Sequence, residues 1–271
     1  MEYTEFLQTK VKTVQDSGFD VQESELNSKL FDFQKYCVRL ALKKGRFALF
    51  EECGLGKSFQ QIEWSYQVSK FTNKPVLILC PLAVSGQTIQ EGLKLGYEIK
   101  KYSSDVTTAG QSGIYISNYE QLENIDCSIF SGVVLDESSI LKTFSGKTKQ
   151  LIIERFKETL YKLACTATPS PNDILELGNH ADFLNIMPSN EMIARWFIND
   201  TMNFGGYRLK KHAQSDFWLW VSSWSVMFSN PSDIGFKQDG YNLPDLNIIE
   251  KRIQLKNLID YDNNKLFKEA N

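Results

Sequence analysis

Short apolar runs recur along the first two-thirds of this chain, with helical stretches between most of them. The runs are Phe47-Ala48-Leu49-Phe50, Pro75-Val76-Leu77-Ile78-Leu79-Cys80, Ile114-Tyr115-Ile116-Ser117, Gly132-Val133-Val134-Leu135 and residues 161–166. Runs this short and this rich in β-branched side chains read as buried strands. Parallel strands cannot be joined by tight hairpins; each needs a crossover, usually a helix that then covers a face of the sheet. The pattern therefore predicts an α/β fold, a mainly parallel sheet with helices on both faces. Residues 31–44 predict one such helix: Phe33, Cys37, Leu40 and Leu42 can share a face, and Gly45 ends it.

Near residue 171 the pattern changes. Helix-like segments and aromatics take over, among them Trp196, Phe197, Phe217, Trp218, Trp220, Trp224 and Phe228, and the clear strands are expected to stop. The expected organisation is an N-terminal lead-in helix and linker over 1–30 and an α/β domain over 31–170. A mostly helical, aromatic-rich appendage follows over 171–254, then a polar linker or truncated end over 255–271.

Composition removes several classes of function. A chain of 271 residues with 42% hydrophobic and 23% charged residues is ordinary globular material. Its net charge of −3 gives no whole-chain signal for nucleic acid, so any such partner must be met by a local surface. The five cysteines form no CxxC pair, and four of them lie in or beside apolar runs, as buried reduced thiols in a cytosolic protein do. The two histidines, His180 and His212, have no partner at metal-ligand spacing, which argues against zinc. No signal peptide is expected at the start, and no apolar stretch is long enough to span a bilayer, so no membrane partner is expected. A cytoplasmic location is expected.

Three segments carry chemistry. The first is Glu51-Glu52-Cys53-Gly54-Leu55-Gly56-Lys57-Ser58, between an apolar strand and a helix. Phosphate binding needs inward-pointing backbone N–H groups, a helix N-terminus and a side-chain cation. Gly54 and Gly56 let the chain curl around phosphate oxygens with Leu55 between them, Lys57 reaches outer phosphates, and Ser58 can ligate magnesium. The generic pattern begins with a glycine where this chain has Glu51, and a glycine turn capping a helix by chance has the same look. The second segment is Asp136-Glu137 at the end of a strand, where ligands of parallel sheets sit. There an aspartate can hold magnesium opposite the Ser58 hydroxyl, and a glutamate can orient and deprotonate a water. Two acids after a strand also suit a solvated loop. The third is Thr166-Ala167-Thr168-Pro169, whose hydroxyls can link nucleotide state to movement; alone it is a proline-terminated strand.

Taken in order, these segments resemble the first motor domain of superfamily II helicase-like ATPases, nearest the Swi/Snf-type translocases and their phage-encoded relatives. The resemblance covers about residues 31–170 and implies a RecA-like sheet, ATP with Mg²⁺, and DNA, expected as a duplex, as partner. The family's loop Asp-Glu-x-Gly-Leu-Gly-Lys-Thr matches residues 51–58, which accounts for the missing first glycine. Its adenine-reading glutamine matches Gln34, its Asp-Glu-Ala-His box matches Asp136-Glu137-Ser138-Ser139, the lysine beyond it matches Lys142, and its third motif matches 166–169. Cys80-Pro81-Leu82-Ala83-Val84 and Ser117-Asn118-Tyr119-Glu120 resemble its strand-tracking segments. The box departs from the family: Ser138-Ser139 replaces Ala-His, so the histidine's contact must be made differently. The second motor domain, which in the family supplies arginine fingers and the other wall of the cleft, has no counterpart, and a fragment or truncated protein is expected.

An ATP-binding interaction module that no longer hydrolyses fits the same loop. A P-loop kinase should carry an arginine-rich lid, and none is visible. The basic run Tyr207-Arg208-Leu209-Lys210-Lys211-His212 can meet phosphates or be a solvated face, and the tryptophan spacing around Trp218, Trp220 and Trp224 fits core packing better than base stacking.

Overall fold

A computed structural model of the chain describes residues 14–103, 111–142, 146–200, 206–241 and 248–251. Of the lead-in helix and linker expected over 1–30, residues 1–13 lie outside the described residues, and residues 14–30 carry only a 3-10 turn at Glu23–Glu25, with Val21, Leu26 and Leu30 buried against the fold; the polar end expected over 255–271 also lies outside the described residues. The first compact unit ends at Gln238 and a small second one follows; residues 239–241 and 248–251 of the latter carry neither helix nor strand.

Helix α1 (Asp32–Lys44) buries Phe33, Gln34, Cys37, Val38, Ala41 and Leu42, and Gly45 at φ 74° ends it. Leu40 is only partly buried, because the apolar stripe runs through Val38 and Ala41 instead. Strand β1 (Arg46–Glu51) leads into helix α2 (Lys57–Thr72), then β2 (Pro75–Cys80), α3 (Ser85–Leu95), β3 (Ile99–Lys101), β4 (Gly113–Asn118), β5 (Gly132–Asp136), α4 (Lys147–Arg155) and β6 (Tyr161–Thr166). Beyond them come α5 (Leu177–Phe183), α6 (Ser189–Trp196), the strands β7 (Phe197–Asp200) and β8 (Gly206–Leu209), α7 (Gln214–Ser222) and β9 (Ser225–Phe228). No helix among the described residues is long and apolar enough to cross a membrane.

The main sheet has the order β3-β4-β2-β5-β6-β1-β9, and every pairing in it is parallel. Its centre is apolar: β2 is buried at every position, as are the side chains of β5 and β6. Helices on both faces of a parallel sheet make this a RecA-like α/β fold.

The helical, aromatic-rich segment is present beyond β6, but strands do not stop there. β7 and β8 form an antiparallel hairpin, and β9 pairs with β1 at the sheet edge. The aromatics of this segment and the strands share one core: Trp196 stacks on Trp220 at 4.7 Å, Trp220 meets Trp224 at 5.3 Å, and Trp224 meets Phe50 of β1 at 6.0 Å. Trp220 and Trp224 are thus core residues, whereas Trp218 is exposed. Both strands that the pattern misses in the main sheet, β3 and β9, are edge strands. Lys100 and Lys101 of β3 and Met227 of β9 face solvent, which breaks the continuous apolar run that marks a central strand.

Candidate functional site

Strand order brings the three chemistry-bearing segments together. β6 lies between β1 and β5, with Phe50 beside Thr166 and Cys165 beside Asp136. Neighbouring strands are about 4.8 Å apart, so the carboxyl ends of β1 and β5 lie roughly 10 Å apart across Thr166. The loop after β1, the acid pair after β5 and the threonines after β6 share one edge of the sheet.

The loop bends at two left-handed glycines, Gly54 at φ 86° and Gly56 at φ 79°. Gly56 is the N-cap of α2, whose first turn carries no acid to compete for its amide groups. The Lys57 ammonium rests on the carbonyl oxygens of Glu51 (2.8 Å) and Glu52 (3.0 Å). A polar scaffold lies beneath. Gln34 Nε2 donates to Leu55 O at 2.9 Å, and Gln34 Oε1 accepts from Phe31 N at 3.0 Å. Gln60 Nε2 donates to Glu51 Oε2 at 2.7 Å. Glu51 is fully buried, and burial pushes its carboxyl up to about 7 although the Gln60 bond, the Lys57 charge and Cys37 pull the other way. This scaffold escapes the sequence reading, which assigns Gln34 to adenine and gives Gln60 no part. Helical spacing of glutamines behind a loop carries no sequence signal of its own.

Across the edge, Asp136 is 6% exposed. Burial, and next the charge of Glu137, push its carboxyl up to about 6, with the nearby Lys57 among the groups that offset them. The Tyr119 hydroxyl donates to Asp136 O at 2.6 Å. Glu137 is exposed and sits at φ 54°, a left-handed conformation that is costly for a residue other than glycine. Thr166 is fully buried and its Oγ1 accepts from the Thr168 amide at 3.1 Å; the Thr168 side chain is exposed. Lys142 is exposed at the end of the turn after the acid pair.

The donors at this edge suit a nucleotide with a hard divalent cation. Ser58 and Asp136 offer oxygen ligands of the kind Mg²⁺ takes. Among the described residues no cluster of three or more His, Cys, Asp or Glu could hold a metal alone, so an ion here would complete its shell with water and phosphate oxygen.

Other candidates fall elsewhere. The basic run forms β8 and the turn after it, and Arg208, Lys210, Lys211 and His212 line a shallow recess of about 530 Å³ with Ile198. Lys210 Nζ is held by Ala194 O (3.2 Å) and Arg195 O (2.8 Å) at the end of α6. Arg155 donates to Glu123 O, and Arg195 lies over the Trp196 ring. Cys37, Cys80, Cys127 and Cys165 are buried and Cys53 is exposed, all as free thiols. His180 is buried against Ser138 of the acid-pair turn, with its Nε2 3.1 Å from Ser138 Oγ.

No family model matches the chain. Two structures of the SWI2/SNF2 ATPase core of Sulfolobus solfataricus do superpose on it. The one in complex with dsDNA has a TM-score of 0.63 at 19% identity, over 77% of this chain and 46% of that one. The other, of the core domain, has a TM-score of 0.59 at 17% identity, over 80% and 48%. This is the fold of a SWI2/SNF2 ATPase core. Two curated proteins also resemble it in sequence. The chain is 27% identical over 185 residues to the SWI/SNF-related matrix-associated actin-dependent regulator of chromatin subfamily A-like protein 1 homolog of Caenorhabditis elegans. It is 30% identical over 186 residues to the human DNA excision repair protein ERCC-6-like. The matches take in 61% and 59% of this chain but 26% and 15% of those proteins, so the chain spans only a fraction of the length of the curated relatives it matches.

Proposed function

We propose that this chain is the nucleotide-binding half of a nucleic-acid-dependent ATPase of SWI2/SNF2 type, a motor that moves along or remodels duplex DNA. One observation carries the reading: the strand order β5-β6-β1 sets Lys57 and Ser58 opposite Asp136 and Glu137 at one sheet edge. In this reading the glycine loop and the α2 N-terminus cradle the phosphates of ATP, and the Lys57 ammonium leaves its two carbonyls for the outer phosphate oxygens. Ser58 and Asp136 hold Mg²⁺, which when bound neutralises phosphate charge. Glu137 orients the attacking water and takes its proton. Gln34 keeps its bond to Leu55 and offers the second Nε2 hydrogen to adenine. Thr166, Thr168 and Lys142 lie where the state of the site can be passed on to neighbouring segments.

The other wall of the cleft comes from a second RecA-like motor domain. Support for this lies in the match to 46% of the SWI2/SNF2 core chain, and Arg155 and Arg195 are engaged away from the loop, at Glu123 O and over the Trp196 ring. Arginine fingers are worth about 10³–10⁵ in rate in other nucleotide hydrolases, so residues 1–271 alone should bind ATP and hydrolyse it slowly. DNA as partner is supported by the basic recess on the β7–β8 hairpin and by the dsDNA complex of the Sulfolobus core.

The test is a pair of variants. Lys57→Ala should weaken Mg–ATP binding in calorimetry, since charge-assisted contacts are among the strongest polar ones. In the complete two-domain protein, Glu137→Gln should bind ATP as before but turn over slower by roughly 10² or more. Unchanged ATP affinity in Lys57→Ala sinks the site. Intact binding with turnover insensitive to Glu137→Gln points instead to a non-hydrolysing ATP-binding module.

A further inference from the structure

Two adjacent side chains of α5 grip the turn that follows the acid pair. Asn179 Nδ2 donates to Leu141 O at 2.8 Å and to Lys142 O at 3.2 Å, while its Oδ1 accepts from Lys149 Nζ of α4 at 2.8 Å. His180 meets Ser138 Oγ at 3.1 Å through Nε2 and Glu176 O at 3.4 Å through Nδ1. Its ring stands edge-on to Phe50, at the end of the strand that enters the glycine loop. Ser138, Asn179 and His180 are fully buried. Burial lowers His180 to about 4, so the ring is neutral and carries a single N–H. A carbonyl only accepts, so that hydrogen is on Nδ1 and Nε2 accepts from the Ser138 hydroxyl.

These contacts surround a strained residue. Glu137 sits in the left-handed region at φ 54°, which costs an L-residue about 1–2 kcal/mol. Such a conformation persists only where the surroundings over-determine it. Tyr119 pins the carbonyl before Glu137, and Ile140 N donates to the Glu137 carbonyl at 3.2 Å. Ser138, Leu141 and Lys142 are held from α5.

We infer that Asn179 and His180 are positioning residues that lock the Ser138–Lys142 turn and so hold the Glu137 carboxylate at the sheet edge. The inference rests on the reading of Glu137 as the group that orients water. It also gives an invisible link in the sequence a physical form: His180 lies 43 positions beyond Glu137 and is brought to it only by the packing of α5.

The experiment is a double-mutant cycle on the complete two-domain protein with duplex DNA, under single-turnover conditions with protein in excess over labelled ATP. His180→Ala and Asn179→Ala should each slow hydrolysis about tenfold or more, because misplacing a reacting group by about 1 Å costs on the order of 10²-fold. ATP affinity should stay within about twofold, since the loop and Lys57 are untouched. His180→Gln, whose amide can meet Ser138, should recover most of the rate. In the Glu137→Gln background the same substitutions should add no further loss, as expected for groups that act through Glu137. Equal losses with and without Glu137, a parallel fall in ATP affinity, or full activity in His180→Ala overturns the inference. A wild-type rate no faster than that of Glu137→Gln removes the reading of Glu137 itself, and this inference with it.

Discussion

Gly54 and Gly56 both sit at positive φ in the phosphate loop, yet alanine should cost very different amounts at the two positions. At Gly54 a Cβ meets nothing within 4 Å, so Gly54→Ala carries only the left-handed strain, about 1–2 kcal/mol. Alanine also restricts the unfolded chain, which returns about 0.4–1 kcal/mol, for a net loss near 1 kcal/mol. At Gly56 a Cβ would lie 2.3 Å from Gln34 Nε2, inside contact distance. Gln34 is 3% exposed and has little room to retreat, so its bond to Leu55 O breaks. A lost hydrogen bond costs about 0.5–1.5 kcal/mol, and a buried group left unsatisfied about 1–3 kcal/mol. Gly56→Ala should therefore cost about 2–4 kcal/mol in all. Urea denaturation of both variants reads the difference. Repeating Gly56→Ala in a Gln34→Ala background, where the obstruction is gone, should bring its cost down to that of Gly54→Ala. Equal costs at the two glycines, or a Gly56→Ala cost that ignores the loss of Gln34, would refute the scaffold beneath the loop.

Two further outcomes follow from the same edge and from the hairpin. The folded-state value of Glu51, about 7, lies above its ordinary 4.5, so between these values the folded chain holds a proton that the unfolded chain has lost. This contribution is full below pH 4.5 and lost as pH rises through 7; Glu51→Gln should remove it, flattening the stability profile between pH 5 and 8 by roughly 3 kcal/mol at most. Urea midpoints that shift identically with pH in both proteins would exclude the effect. On the hairpin, Arg208→Glu with Lys211→Glu should weaken duplex DNA binding in fluorescence anisotropy. The log–log salt slope should fall by about 2, near 0.9 for each phosphate that the two side chains no longer neutralise. An unchanged slope would place the DNA elsewhere.

Much of this architecture is local and therefore legible. Buried parallel strands are rich in apolar side chains, so β1, β2, β4, β5 and β6 all appear as runs in the sequence, although β6 also buries Lys162, whose ammonium donates to Phe183 O. The glycine loop is legible because left-handed turns restrict residue type at Gly54 and Gly56. The acid pair stands out because it follows an apolar strand directly. Edge strands β3 and β9 have no such mark, since one side of each meets solvent. Strand order, by contrast, is a property of the whole sheet: only the insertion of β6 between β1 and β5 puts Lys57 opposite Asp136 and Glu137. The partners that hold the site, Gln60 behind the loop and Asn179 and His180 behind the acid pair, are ordinary polar residues on helices. Their meaning arises from burial, which leaves each polar atom only a few possible partners, and burial is decided where distant segments of the chain pack together.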